Sequence, residues 1–403
     1  MAFDEVQYKD YADSIKTFGL YAHSFRLYGY PVFIFIIENI FGKLKILGLA
    51  PWQFVQFILD IVNTVLIFST ARVLFKNLTA AFITFVVYLF NPFTTAYTGV
   101  MLPEILAISI FSLIYFTGTH VNFIGQKATK VLLGFLTQVR PAYFYYSLAM
   151  LTILGFYVFN KFPKKRIVYL ALMVFAFFVP FLYTIFGNYR WFNEFALTDV
   201  DRLNIQNFYI SMFIRDSPKI RMSFDEYPKE ARWAYAEYSY NKKSYKDRKE
   251  TRDLFFKLAI DEAVRDPIKF FVWRIEKIWF VMQKHSIFPY QIPDSRTEAA
   301  IYWGNLTLLA SSLVGFIAFL KVKLSDKTKN GRWLVLFTGL PVAYTMAANM
   351  FTTTEERYSL PIYPLIMLFS GFGIYTIWKY AATLKYRGQD NSSRLYKIKS
   401  QDQ

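Results

Sequence analysis

The sequence predicts an all-α protein: a polytopic transmembrane helical bundle with amphipathic interfacial helices and a helical loop region on the extracytoplasmic side. Three observations carry this expectation. Apolar residues make up 55% of the 403 residues and charged residues only 19%, a poorer charge balance than soluble domains show. Seven stretches are free of Asp, Glu, Lys and Arg, namely 78–103, 105–126, 141–160, 167–189, 301–320, 333–354 and 358–378. Each matches the roughly 20 residues a helix needs to cross the hydrocarbon core. The basic residues, finally, gather in short loops between these stretches. Disorder is excluded by the apolar content. The absence of Cys excludes a disulfide-stapled fold, zinc–thiolate sites, thiol catalysis and iron–sulfur clusters. No alternating pattern of a membrane β-barrel appears, so the backbone groups of each span must be satisfied within helices.

Taken along the chain, residues 28–42 (YGYPVFIFIIENIFG) are apolar around Glu38 and read as a helix lying in the interface. The run 52–71 is interrupted only by Asp60, which is expected to face the bundle and tie it to a neighbouring helix. Asn91-Pro92 ends a helix inside 78–103. Residues 131–139 (VLLGFLTQV) are too short to span and, with a turn at Arg140-Pro141, form a re-entrant pair with the segment that follows. Residues 268–283 mix aromatics with Lys269, Arg274, Glu276 and Lys277 and read as a second interfacial helix. A helical pattern also runs through about 225–265.

Orientation follows from the short basic loops. Arg72 and Lys76, Lys127 and Lys130, the segment 161–166 (KFPKKR), the five basic residues of 321–332, and the tail beyond Tyr380 all fall on one side, which is therefore cytoplasmic. The expected organisation is a first extracytoplasmic loop with its interfacial helix (1–51), transmembrane helices with a re-entrant pair near 131–158 (52–189), an extracytoplasmic loop region (190–298), C-terminal transmembrane helices (299–383) and a basic cytoplasmic tail (384–403). The net charge of +17 is split between cytoplasmic loops and the outer region. It reads as anchoring to membrane lipid together with a bound phosphate, and not as a nucleic-acid surface.

Four constellations with chemical potential fall on the outer face. Asp4-Glu5-x-x-Tyr8 places carboxylates just outside the membrane, where one can act as general base on a hydroxyl; the alternative is a solvated acidic terminus. Pro103-Glu104 opens a helix, where an acid also serves as a cap. Gln138-Val-Arg140-Pro141 puts a guanidinium at membrane depth, either in an ion pair or lining a wet cavity. Glu355-Glu356-Arg357-Tyr358 opens the last span, and Arg357 suits either an interface anchor or a phosphate. His23, His120 and His285 show no metal spacing. The sequons at Asn77, Asn305 and Asn391 fall on the inner side or in a span, and no Gly-rich phosphate loop appears.

The order of these motifs resembles that of the multi-pass GT-C glycosyltransferases, which use polyprenyl-phosphate-linked sugars and include protein O-mannosyltransferases and the lipid A aminoarabinose transferase. The likeness rests on the acidic loop from Asp4 followed by Arg26-x-x-Gly-Tyr-Pro31, on Pro103-Glu104, on Gly134 to Pro141, on Asp266-Pro-x-x-Phe270, and on Glu355-x-Arg-Tyr-x-Leu-Pro-x-x-Pro364. In that family a membrane span precedes the acidic loop. Only Met1-Ala2-Phe3 precede Asp4 here, so the chain is expected to lack the first transmembrane helix.

The resemblance implies an enzyme of the plasma (inner) membrane that transfers a sugar with inversion from a polyprenyl-phosphate donor to a hydroxyl of a glycan, lipid or protein acceptor. It implies Asp4 as general base with Glu5 beside it raising its pKa. Arg140, Arg357 and Arg190 are then the donor-phosphate ligands, and Tyr8, Glu104, Glu356 and Tyr358 support them. No cofactor is implied, and a divalent cation is allowed. Two other readings stand beside this one: a transporter or lipid flippase, and a catalytically inactive homologue that binds the carrier lipid.

Overall fold

The structure, a computed structural model, describes residues 3–22, 26–42, 44–120, 123–161, 164, 166–196, 200–214, 226–239, 245–288, 293–325 and 329–399. His23 and, in the basic loops, Lys165 and Lys327 lie outside the described residues. The described residues are helical throughout, with one isolated antiparallel bridge between Ile46 and Leu49.

Residues Phe3–Phe18, read from the sequence as an acidic loop, form a helix, α1. Its Glu5, Tyr8, Tyr11, Ala12 and Ile15 are buried at helical spacing. The adjoining helix α2 (Gly29–Phe41) buries Tyr30, Ile34 and Ile37 on one face. The rings of Tyr8 and Tyr30 meet edge to face at 5.1 Å between centroids, and Lys9 bridges to Glu38 at 2.7 Å, so the two helices lock together.

The 25-residue α3 (Pro51–Phe75) starts with proline at its first position, where the missing N–H costs nothing. It is about 38 Å long. Asp60 is buried, as expected, and ties α3 to α4 (Leu78–Leu89) and α5 (Pro92–Thr95) by accepting from the Tyr88 hydroxyl at 3.1 Å and the Thr95 hydroxyl at 2.9 Å. The chain bends by 40° between α4 and the α5 segment, at the Asn91-Pro92 step the sequence singled out. Asn91 caps α5 by accepting from the Phe93 N–H.

Helix α6 (Glu104–Thr119) stops short of the end of the 105–126 apolar run. Thr117, Thr119 and His120 bond back to the carbonyls of Leu113, Tyr115 and Phe116 near its end. Helices α7 (Phe123–Val139) and α8 (Phe144–Lys161) turn back on each other at Arg140, whose extended backbone (φ −135°, ψ 92°) is the conformation the following proline demands. Residues 131–139 are thus the second half of a longer helix. The run 167–189, read as one span, is broken into α9 (Arg166–Phe178) and α10 (Phe181–Phe192), bent by 52°. Pro180 at the break supplies no N–H to continue the helix, and Tyr28 donates to its carbonyl at 2.5 Å.

A second, smaller core forms where α11 (Val200–Ile210), α12 (Lys229–Ser239) and α13 (Tyr245–Arg265) bury Tyr209, Ile210, Ala231, Ala234, Phe255 and Ala259. Helix α14 (Pro267–Met282) follows, capped by Asp266. Two of its charges are buried among other helices. Arg274 donates to the Met350 and Ser211 carbonyls at 2.9 and 3.2 Å, and Lys277 to those of Ile214 and Thr352, both at 3.1 Å. These cations therefore serve the carbonyl-rich ends of α11 and of α16 (Lys329–Met350), where the helix dipole is negative.

The C-terminal part comprises α15 (Ser295–Ser325), α16, a 3-10 turn at Glu356–Ile362, and α17 (Tyr363–Lys399). Helices α15 and α17 pack backbone to backbone: a Cβ on Gly315 would run into Phe369, and one on Gly373 into Ser311. The Ser311 and Ser370 hydroxyls meet at 2.6 Å across the same contact. By length and composition, Pro51–Phe75, Ser295–Leu324, Trp333–Met350 and Glu356–Leu384 are long and apolar enough to cross a membrane. Each bent pair counted as one span brings the number to six. Gly29–Phe41, Glu104–Thr119, Ala128–Val139 and Pro141–Phe156 are apolar but shorter.

Candidate functional site

The start of α1, the chain before α2, the start of α6, the α7–α8 reversal and the turn before α17 converge on one cluster of charge. Asp4 lies in the first turn of α1, where the helix dipole favours an acid. One carboxylate oxygen accepts from Arg26 at 2.5 Å and the other from Arg357 at 2.6 Å. Arg26 also donates to Gln7 at 2.9 Å and lies over the Tyr8 ring, 4.8 Å from its centroid. Arg357 pairs in addition with Glu355 at 2.5 Å, and the Tyr358 hydroxyl donates to the same carboxylate at 3.1 Å.

Beside this lies a second pair. Arg140, at the α7–α8 reversal, donates to Glu104, at the start of α6, at 2.5 Å. The Glu104 side chain is only 1% exposed, so its charge depends on that partner. Arg140 and Arg357 both lie near the Tyr358 ring, at 5.7 and 5.8 Å from its centroid, and Glu104 and Asp4 both fall within electrostatic reach of Arg357. Two polar atoms of this pair, Glu104 Oε2 and Arg140 Nε, are buried without a hydrogen-bond partner.

The electrostatics reverse one sequence expectation. Burial is the largest single influence on Asp4 and opposes its ionisation, but Arg26 and Arg357 together outweigh it and hold the carboxyl below its ordinary value of 3.8. Glu5 is not among the main influences on it. Glu5 is itself buried and accepts the Met101 N–H at 2.9 Å, which pins α1 to the approach to α6. Burial pushes the Tyr8 hydroxyl up, although Arg26 and Arg140 pull the other way.

Of the residues singled out from the sequence, Asp4, Tyr8, Glu104, Arg140, Arg357 and Tyr358 come together. Glu356 is on the far side of its turn, where its carboxylate accepts the His285 N–H at 2.8 Å. Arg190 is not part of the cluster. It is exposed at the end of α10, its guanidinium over Trp191. Trp191 packs on Phe18 and donates to the Leu20 carbonyl, at the opposite end of α1. From Asp4 to Phe18, α1 covers about 21 Å at 1.5 Å per residue, too far for Arg190 to share a ligand with Asp4. Arg26 and Glu355 belong to the cluster and carried no role in the sequence reading. Arg26 sits in the quoted Arg-x-x-Gly-Tyr-Pro stretch, and that spacing from Tyr30 and Pro31 is the signal that points to it.

The arrangement is a carboxylate bracketed by guanidinium forks, with a second buried ion pair alongside. Such forks match the oxygens of a carboxylate or a phosphate equally well. Among the described residues no group of three or more His, Asp or Glu side chains comes together to hold a metal ion.

No protein-family model matches the chain, and no curated protein matches it. The structure is similar to that of the oligosaccharyltransferase of Archaeoglobus fulgidus in its apo form, with a TM-score of 0.50 and 11% identity over 96% of this chain and 48% of that one. A second structure, archaeal oligosaccharyltransferase AglB from the same organism in complex with an inhibitory peptide and a dolichol-phosphate, aligns at a TM-score of 0.44 and 13% identity over 96% and 47%. The chain spans about half the length of the solved structures it matches. At these identities the likeness is one of fold: the chain is an all-α, multi-pass membrane bundle with the helical architecture of the apo archaeal enzyme.

Proposed function

We propose that the chain is a membrane glycosyltransferase that moves a sugar from a polyprenyl-phosphate donor to an acceptor hydroxyl, with inversion, on the extracytoplasmic face. The observation that carries this reading is the placement of Asp4 between Arg26 and Arg357, arginines that reach it from widely separated parts of the chain. The fold shared with an oligosaccharyltransferase is consistent with it.

Asp4 and Glu355 together offset the charge of the two guanidinium groups. A donor phosphate entering beside them competes for the same N–H forks. As the arginines turn to the phosphate, the field that holds the Asp4 carboxyl down weakens, and burial then raises its proton affinity. The acceptor oxygen attacks the anomeric carbon while Asp4 takes its proton. The bond from that carbon to the phosphate oxygen breaks, and its electron pair leaves with the phosphate. Charge grows on the phosphate as this happens, so fixed guanidinium groups stabilise the transition state more than the ground state. Arg26 and Arg357 supply this directly, and Arg140 supplies it from beside Tyr358.

Transfer of radiolabel from a polyprenyl-phosphate sugar, in membranes holding the chain, tests the reading. Asp4→Asn is expected to abolish transfer while expression is retained. Arg357→Ala is expected to lower it on the order of 10²–10³-fold, the usual cost of losing one transition-state donor. Turnover retained in Asp4→Asn rejects Asp4 as the base. Phosphate-lipid binding without transfer in the unaltered chain assigns it instead as a carrier-lipid binder.

A further inference from the structure

The turn that carries Arg357 is held from behind by a lysine that the reaction itself does not use. The Lys284 ammonium, just beyond α14, is 2% exposed. It donates to the carbonyls of Glu356 at 2.5 Å, Gln283 at 3.2 Å and Val281 at 3.3 Å, and to the Ser359 hydroxyl at 2.8 Å. All four acceptors are neutral. The ammonium also stands over the Tyr363 ring, 4.9 Å from its centroid. Ser359 in turn bonds to the Val281 carbonyl at 2.6 Å, and the next backbone N–H, that of His285, reaches the Glu356 carboxylate at 2.8 Å. The end of α14 therefore grips the chain immediately before Arg357 and two residues after it.

We propose that Lys284 is a positioning residue that sets the phosphate affinity of the site by holding the Glu356–Ser359 turn, and with it the direction of the Arg357 guanidinium. The proposal rests on the reading of Arg357 as a phosphate ligand. Burial drives its ammonium down to about 7 although the Glu356 carboxylate pulls the other way, so the charged form is costly to hold, while an apolar side chain would leave the carbonyls it satisfies at the end of α14 without a donor. What the ammonium adds is direction, since its donors define where three carbonyls and a hydroxyl must lie.

The test uses the full chain in detergent micelles, with farnesyl phosphate and its uncharged alcohol, farnesol, as probes. Lys284→Met is expected to weaken farnesyl phosphate binding about tenfold, to leave farnesol binding unchanged, and to lower the thermal unfolding temperature only modestly. In an Arg357→Ala background the same substitution is expected to add no further loss, because the lysine acts through that arginine. Should Lys284→Met fail to fold, Ser359→Ala, which loosens the turn from its other side, is expected to show the same selectivity for phosphate. Equal losses for phosphate and alcohol, or additive losses with Arg357→Ala, overturn the proposal and leave Lys284 a packing role. So does normal phosphate binding in Lys284→Met when Arg357→Ala is defective. Phosphate binding that Arg357→Ala does not weaken overturns the assignment of Arg357 itself, and the role of Lys284 falls with it.

Discussion

Asp4 and Glu104 are both carboxylates in arginine pairs, yet their surroundings give them different work. Asp4 keeps some access to solvent and faces two cations, so its folded-state proton affinity is depressed. The stability this contributes is present above its ordinary value of 3.8 and is lost as the pH falls through the lower folded value. Glu104 is sealed in and has Arg140 as its partner at 2.5 Å. Arg140→Ala should therefore cost about 3–5 kcal/mol by leaving a buried charge uncompensated. Replacing both members with Met should recover most of that loss. Thermal unfolding in detergent reads both outcomes. Arg140 was legible in the sequence because it interrupts an apolar context, and Asp4 and Arg357 because each sits in a compact charged motif at the edge of the apolar runs. Arg26 was visible in its motif but had no partner until α1 was seen to fold as a helix. Arg190 was misplaced because a residue number does not reveal that α10 runs past the wrong end of α1.

The helices show where composition suffices and where packing intervenes. The bend at Asn91-Pro92 and the reversal at Arg140-Pro141 were readable because proline restricts its predecessor and cannot donate. Pro180 acts by the same physics, but an unbroken apolar run concealed it. The early end of α6, at Thr119, falls inside an unbroken apolar run, so hydropathy does not record it. The burial of Arg274 and Lys277 was hidden for a related reason. Amphipathic spacing says that a helix has a polar face, but not whether that face meets headgroups or the ends of other helices. The α15–α17 contact offers a direct check at this scale. Gly373→Val would place a branched side chain against the Ser311 backbone and force the helices apart. A loss of about 1–3 kcal/mol is expected, or more where the backbone cannot yield, measured by thermal unfolding in lipid nanodiscs.

At the scale of the whole molecule, a membrane bundle carries a smaller helical cluster built on α11, α12 and α13, and α14 ties the two together through its buried cations. The orientation expected from the basic loops can be tested. Because the chain contains no native Cys, single substitutions report orientation directly. Lys323→Cys is expected to react with a membrane-impermeant maleimide only from the cytoplasmic side, and Asp266→Cys only from the outer side; the reverse pattern would place the Asp4 cluster on the wrong face for the proposed reaction. One property of that cluster reaches beyond chemistry. Arg26, Arg140 and Arg357 are matched by Asp4, Glu104 and Glu355, so the cluster carries almost no net charge. Freely dissolved anions such as sulfate are then neither drawn in nor concentrated there. A ligand delivered along the bilayer by a hydrocarbon tail arrives by lateral diffusion instead, and the ionic strength of the surrounding fluid has little purchase on how often it does so.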